Sequence, residues 1–176
     1  KQRHAYFELR ASPHFQTTAW FPVMDMLRRF FRLEDEATVE AKAQRLEQSL
    51  AVYDMVEPRV VAVLASLLLG VVPERFAVAR LTAERLRSVT LDSVAQLIEK
   101  VSLDRPVLFI AEDLHWIDPT TLELLSELAS RTNRFAICLV VTSRPGARAE
   151  ARLDSVNEYR LNRLSKDDAA TMVAEV

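Results

Sequence analysis

The chain has almost no glycine: two in 176 residues, Gly70 and Gly146, 76 residues apart. A glycine-rich phosphate loop needs two glycines within one short turn, followed by Lys and Ser or Thr, so that consecutive backbone amides can surround the phosphates. No such loop exists within these residues. Cysteine is equally scarce, and a lone Cys138 cannot form an internal disulfide. Its place in an apolar run predicts a small buried hydrophobe, and nothing points to an oxidising compartment. No apolar run approaches membrane-spanning length, and the opening KQRHAYFELR lacks the hydrophobic core of a signal peptide. Basic excess is also missing. A net charge of −2 gives no electrostatic footprint for sequence-independent nucleic-acid binding, so nucleic acid is not the favoured partner. These absences predict a cytoplasmic domain with no membrane partner. With 49% hydrophobic and 27% charged residues, the chain suits one sizeable core.

What is present centres on Pro106 to Asp118, PVLFIAEDLHWID. Val107 to Ala111 is an uninterrupted apolar run, too short for a helix and without alternation, which predicts a parallel strand covered on both faces. Glu112 and Asp113 follow it, at the carboxyl end where open α/β sheets form their ligand crevice. Two readings of the pair stand side by side. The carboxylates begin a solvated loop, or they serve a phosphate-bound metal, since Mg²⁺ keeps several waters and needs only one or two protein carboxylates.

The flanking sequence organises around this strand. Ala5 to Ala11 alternates, with Phe7, Leu9 and Ala11 on one face, and predicts a strand near a sheet edge. Pro22 suits the first turn of a helix whose stripe is Val23, Met26, Leu27, Phe30 and Phe31; Arg28, Arg29 and Arg32 form its solvated face. Thr38 caps a second helix carrying Val39, Ala43, Leu46, Leu50 and Tyr53. Pro58 opens a third, ended by Gly70, and Thr82 to Lys100 reads as a fourth. Asp118 and Pro119 supply a cap and a first helical residue, with Leu122, Leu125, Leu128 and Ala129 facing the sheet. Phe135 to Thr142 is a second buried strand, parallel to the first through a right-handed crossover. Thr142, Ser143 and Arg144 therefore emerge at the same edge as Glu112 and Asp113. A short strand around Glu158 to Leu161 and a terminal helix capped by Ser165 complete the pattern.

EDLHWIDPTTLELL resembles the Walker B segment of STAND-type P-loop ATPases, in particular the AAA-like ATPase domain of bacterial adenylate or guanylate cyclase-ATPase-TPR proteins and LuxR-type regulators. RASPHFQTTAWFPV resembles an earlier segment of the same domains, with Ala11 where cysteine is frequent. The resemblance implies a partial P-loop NTPase core: a parallel sheet flanked by helices, with residues 20–104 as a helical insertion between the second and third strands. Residues 106–144 become the Walker B strand, helix and sensor strand, and residues 158–176 the last strand and start of the lid. The chain opens without methionine and holds no Walker A loop, which predicts a piece of a longer protein; a glycine-rich loop ending in Lys-Ser or Lys-Thr before Lys1 would favour an ATP-driven switch over a scaffold.

The resemblance also implies roles and partners. Glu112, where most P-loop enzymes carry Asp, would help hold Mg²⁺; Asp113 would polarise the attacking water; and Arg144 of the Thr-Ser-Arg motif would sense the terminal phosphate of ATP. The residues alone give Arg144 a second role, an ion pair with Glu150. His4, His14, His115 and Cys138 lack ligand spacing for zinc, so Trp116 reads as a loop anchor and His115 as satisfied by a neighbouring polar group. Two functions remain open: an ATP-driven signalling switch controlling a tethered effector and TPR-like domains, or a non-catalytic regulatory scaffold. Origin-recognition-type nucleic-acid binding is disfavoured by charge.

Overall fold

The computed structural model describes residues 3–70, 81–145, 153, 157–162, 165, 172 and 173. Three strands form a parallel sheet in the order β1 (Ala5–Arg10), β2 (Val107–Glu112), β3 (Ile137–Val141). The β2 strand is central, as its apolar composition predicts. Among the described residues, four α-helices run between β1 and β2: α1 (Phe21–Phe31), α2 (Val39–Val52), α3 (Pro58–Leu69) and α4 (Ala83–Asp104). A fifth, α5 (Pro119–Arg131), connects β2 to β3. The parallel run of β2 and β3 and the place of β1 at an edge match the expectation from sequence, and the fold is α/β with helices flanking a parallel sheet.

Local chemistry sets the helix limits. Thr38 and Thr82 are extended N-caps whose hydroxyls accept from the amides of Ala41 and Arg85. Pro22, Pro58 and Pro119 occupy first turns, where a missing amide costs nothing. Gly70 ends α3 at φ 72°, and its amide donates to the Ser66 carbonyl. The apolar stripe of α1 packs inward, with Phe30 stacked on Phe7 of β1 at 4.6 Å. Its two arginines are not simply solvated: Arg28 donates to the Leu68 carbonyl at 2.9 Å and Arg29 to the Glu8 carbonyl at 2.8 Å, so both tie α1 to its neighbours.

Among the described residues only one face of the sheet is covered, which corrects the expectation of burial on both. Register aligns Ala5, Val107 and Ile137, then Phe7, Phe109 and Leu139, then Leu9, Ala111 and Val141. These residues form the buried or partly buried face. The alternate face carries Tyr6, Cys138 and Val140, all exposed, with Leu108 and Ile110 only half-buried. Right-handed crossovers account for this asymmetry: β1 to β2 and β2 to β3 step the same way across the sheet, so both connections fall on one side. Cys138 is therefore an exposed thiol, not the buried hydrophobe expected.

Two further differences are local. Phe135 belongs to the turn that closes α5, since its amide donates to the Arg131 carbonyl, and β3 begins at Ile137. Glu158 to Leu161 forms no strand: residues 157–162 have no regular structure, and Tyr159 and Leu161 are 85% and 96% exposed. A short segment does not hold a strand on its own, and no described residue pairs with it. Most of the expected terminal helix, and Glu150, lie outside the described residues. No described helix is long and apolar enough to cross a membrane.

Candidate functional site

All three strands point their carboxyl ends to one edge, and the candidate residues lie along it. Glu112 is the last residue of β2, in register with Arg10 of β1. Arg10 Nε lies 3.2 Å from Glu112 Oε2, while Nη2 of the same guanidinium donates to Glu8 Oε1 at 2.6 Å. Hydrogen bonding to Glu8, then the charges of Glu8 and Glu112, raise the Arg10 pKa, and the same bond holds the Glu8 carboxyl below the usual carboxylate range. Arg10 is a site residue that reasoning along the chain missed. Its signal was present in the pairing of two strands whose outward positions align, not in any local motif.

Asp113 adopts the left-handed conformation, φ 59° and ψ 46°, which Asp tolerates better than most non-glycine residues. Its backbone is fixed from both sides. The Asp113 amide donates to Thr142 Oγ1 at 3.1 Å, the Leu114 amide donates to the Thr142 carbonyl at 2.9 Å, and the Asp113 carbonyl accepts from Trp116 at 2.8 Å. Thr142 in turn donates its amide to the Ala111 carbonyl at 2.9 Å. The acidic pair and the segment after β3 are thus stitched together. The carboxylate itself remains 62% exposed.

Arg144 follows two residues after Thr142, exposed, with no ion pair to Glu112, Asp113 or any other described residue. The edge therefore brings Glu112, Asp113 and Thr142 together and leaves Arg144 beside them with its guanidinium free of either carboxylate. Among the described residues no group of three or more His, Cys, Asp or Glu side chains could hold a metal unaided. Any divalent ion here would take most of its ligands from water or from its own substrate, the way Mg²⁺ does beside phosphates.

Beyond the pair, a short 3₁₀ turn, Leu114–Trp116, leads to α5. Leu114 is buried and Trp116 packs partly against the core, so Trp116 anchors the loop. His115 differs from expectation. Its side chain is 10% exposed, and neither ring nitrogen has a hydrogen-bond partner; the nearest carboxylate oxygen, Asp113 Oδ1, is 3.9 Å from Nδ1. Asp118 caps α5, accepting from the Thr120 and Thr121 amides at 3.1 and 3.0 Å, and is no metal ligand. A cleft of about 370 Å³ between the segment before α1, α3, α4 and the start of α5 is lined by Trp20, Val63, Leu67 and Leu86 and shares no residue with the carboxyl edge.

No protein-family model matches the chain, and no solved structure matches it. An 82-residue stretch, 47% of the chain, is 38% identical to the uncharacterized protein R02095 of Rhizobium meliloti (strain 1021). That stretch is 8% of the relative, so the chain spans only a small part of a much longer protein.

Proposed function

We infer that this chain is the Walker B and sensor part of a P-loop, AAA-like ATPase domain, acting in an ATP-driven signalling switch that controls tethered effector domains. One observation carries the reading: a central parallel strand ends in Glu112 and Asp113, and two hydrogen bonds tie that end to Thr142, just before Arg144. The edge is the position where open parallel sheets bind ligands; its carboxylates suit a divalent cation and the Arg144 guanidinium suits a phosphate. The match to a small part of a very long relative agrees with a module among others.

The residues fit such a group in part. Two carboxylates suffice for an ion that keeps its waters, while the amide cradle for the phosphates must come from outside these residues. Mg²⁺ held there would supply charge neutralisation on the phosphate oxygens. Glu112, paired with Arg10 in this structure, would accept hydrogen bonds from the ion's waters once released from that pair. Asp113, fixed in backbone and free in side chain, orients the attacking water and accepts its proton. Arg144 donates to the terminal phosphate, so its position reports whether that phosphate is present.

The scaffold reading keeps one observation in its favour, the engagement of Glu112 by Arg10. Titration of the full-length protein with ATP, with and without Mg²⁺, separates the two. The switch requires tighter binding with the metal, reduced toward the metal-free value in Glu112→Gln. Absence of binding under all three conditions supports the scaffold, which takes no nucleotide.

A further inference from the structure

His115 has a buried donor and a buried acceptor with no partner for either. Such groups are rare in folded proteins because their lost hydration is not replaced, and a buried imidazole without partners points to a bond that this arrangement has left open. The ring has little freedom to seek one. Its side chain is nine-tenths buried, and the Trp116 ring lies 5.0 Å away at 48°.

Asp113 is the reachable partner, and only its side chain can move. Three hydrogen bonds hold the backbone around it: its own amide to Thr142 Oγ1, the Leu114 amide to the Thr142 carbonyl, and the Trp116 amide to its carbonyl. The carboxylate is exposed and accepts no hydrogen bond among the described residues, while its Oδ1 lies 3.9 Å from His115 Nδ1. Closing that distance to a hydrogen bond takes a displacement of about 1 Å, within reach of a side-chain rotation. A carboxylate has acceptor capacity for this bond and for a water besides.

We propose that His115 positions Asp113, its Nδ1–H donating to Asp113 Oδ1 so that the other carboxylate oxygen faces the crevice. What that second oxygen then does rests on the ATPase reading above; the hydrogen bond does not. His115 is a positioning residue and touches no reacting atom.

Two measurements on the full-length protein test this separately. Ring nitrogens observed by NMR after selective ¹⁵N-histidine labelling, at pH 9 where imidazole is neutral, report the tautomer. His115 is expected to carry its proton on Nδ1, and to revert to the Nε2–H form in Asp113→Gly, a substitution that the left-handed backbone accommodates. The Nε2–H form in both proteins overturns the bond. In ATP turnover, His115→Asn, whose amide reaches the Nδ1 position, is expected to stay near wild type. His115→Gln, which reaches the Nε2 position, and His115→Ala are expected to lose kcat on the order of 10–100-fold with KM unchanged. Equal loss in all three, or none in any, overturns the positioning role. Absence of turnover in the wild type removes the ATPase reading and leaves the NMR result to decide the pair.

Discussion

Asp118 Oδ1 accepts the backbone amide of Trp20 at 3.4 Å, joining the corner before α1 to the first turn of α5 across 98 residues of sequence. The same oxygen caps α5, and Oδ2 accepts from the Thr121 hydroxyl at 2.5 Å. Trp20 sits at φ 66°, a conformation that a bulky residue adopts only when its surroundings impose it. One buried carboxylate therefore satisfies a helix end and fixes the loop that leads out of β1. Asp118→Ala removes the cap and leaves buried donors unpaired, at an expected cost of about 2–4 kcal/mol in chemical denaturation. Asp118→Asn keeps one acceptor oxygen and should cost less than half as much.

The open sheet face gives a second expectation. Cys138 is exposed in β3, so a thiol reagent should label the isolated chain without denaturant. Val140, 42% exposed two residues on, shares that face, and β3 lies at the edge of the described sheet without a charged residue in it. Apolar edges of this kind promote association between chains, and Val140→Lys should lower the associated fraction in sedimentation. Protection of Cys138 until unfolding, or unchanged association in the lysine variant, would show that the face is covered.

Acid stability should depend on Glu8. Hydrogen bonds from Arg10 hold its carboxyl below the ordinary value of 4.5, against a smaller opposing push from burial. A carboxyl with a lowered folded-state pKa contributes stability that is complete above its unfolded value and disappears as pH falls through the folded one. Glu8→Gln should accordingly flatten the pH dependence of denaturation midpoints below about pH 4.5 and leave its slope at neutral pH unchanged.

Residues 1–176 alone should bind ATP weakly. Two carboxylates and one arginine leave most of a triphosphate without donors, and the chain has no glycine loop to supply them. Micromolar affinity, about −8 kcal/mol, is not expected. Calorimetric titration of this chain with magnesium ATP should show no saturable heat; stoichiometric binding at that strength would mean that the phosphates sit elsewhere.

Much of the architecture was legible because its determinants are local. Thr38, Thr82, Asp118, Pro119 and Gly70 mark helix limits through hydrogen bonds and backbone angles that depend on a few neighbouring residues. The two apolar strands and the helix between them implied parallel pairing, and the carboxyl edge followed. Burial was less legible. A continuous apolar run such as Val107 to Ala111 is compatible with cover on one face or two, and the direction of the crossovers decides which. The outward residues of β1, Tyr6, Glu8 and Arg10, already carried that information, because parallel register sets them beside Leu108, Ile110 and Glu112. Arg10 was missed for that reason. The state of His115 was invisible, since a one-dimensional pattern cannot say whether a polar neighbour lies at 2.8 or 3.9 Å.

The central claim is that Asp113 performs chemistry on a nucleotide at this edge. The direct measurement is phosphate release and ATP binding by the full-length protein carrying Asp113→Asn, compared with wild type. A carboxylate acting on water in the transition state contributes little to ground-state binding. Affinity should therefore stay near wild type while turnover falls by about 100-fold or more. Unchanged turnover in that variant would remove Asp113 from the mechanism.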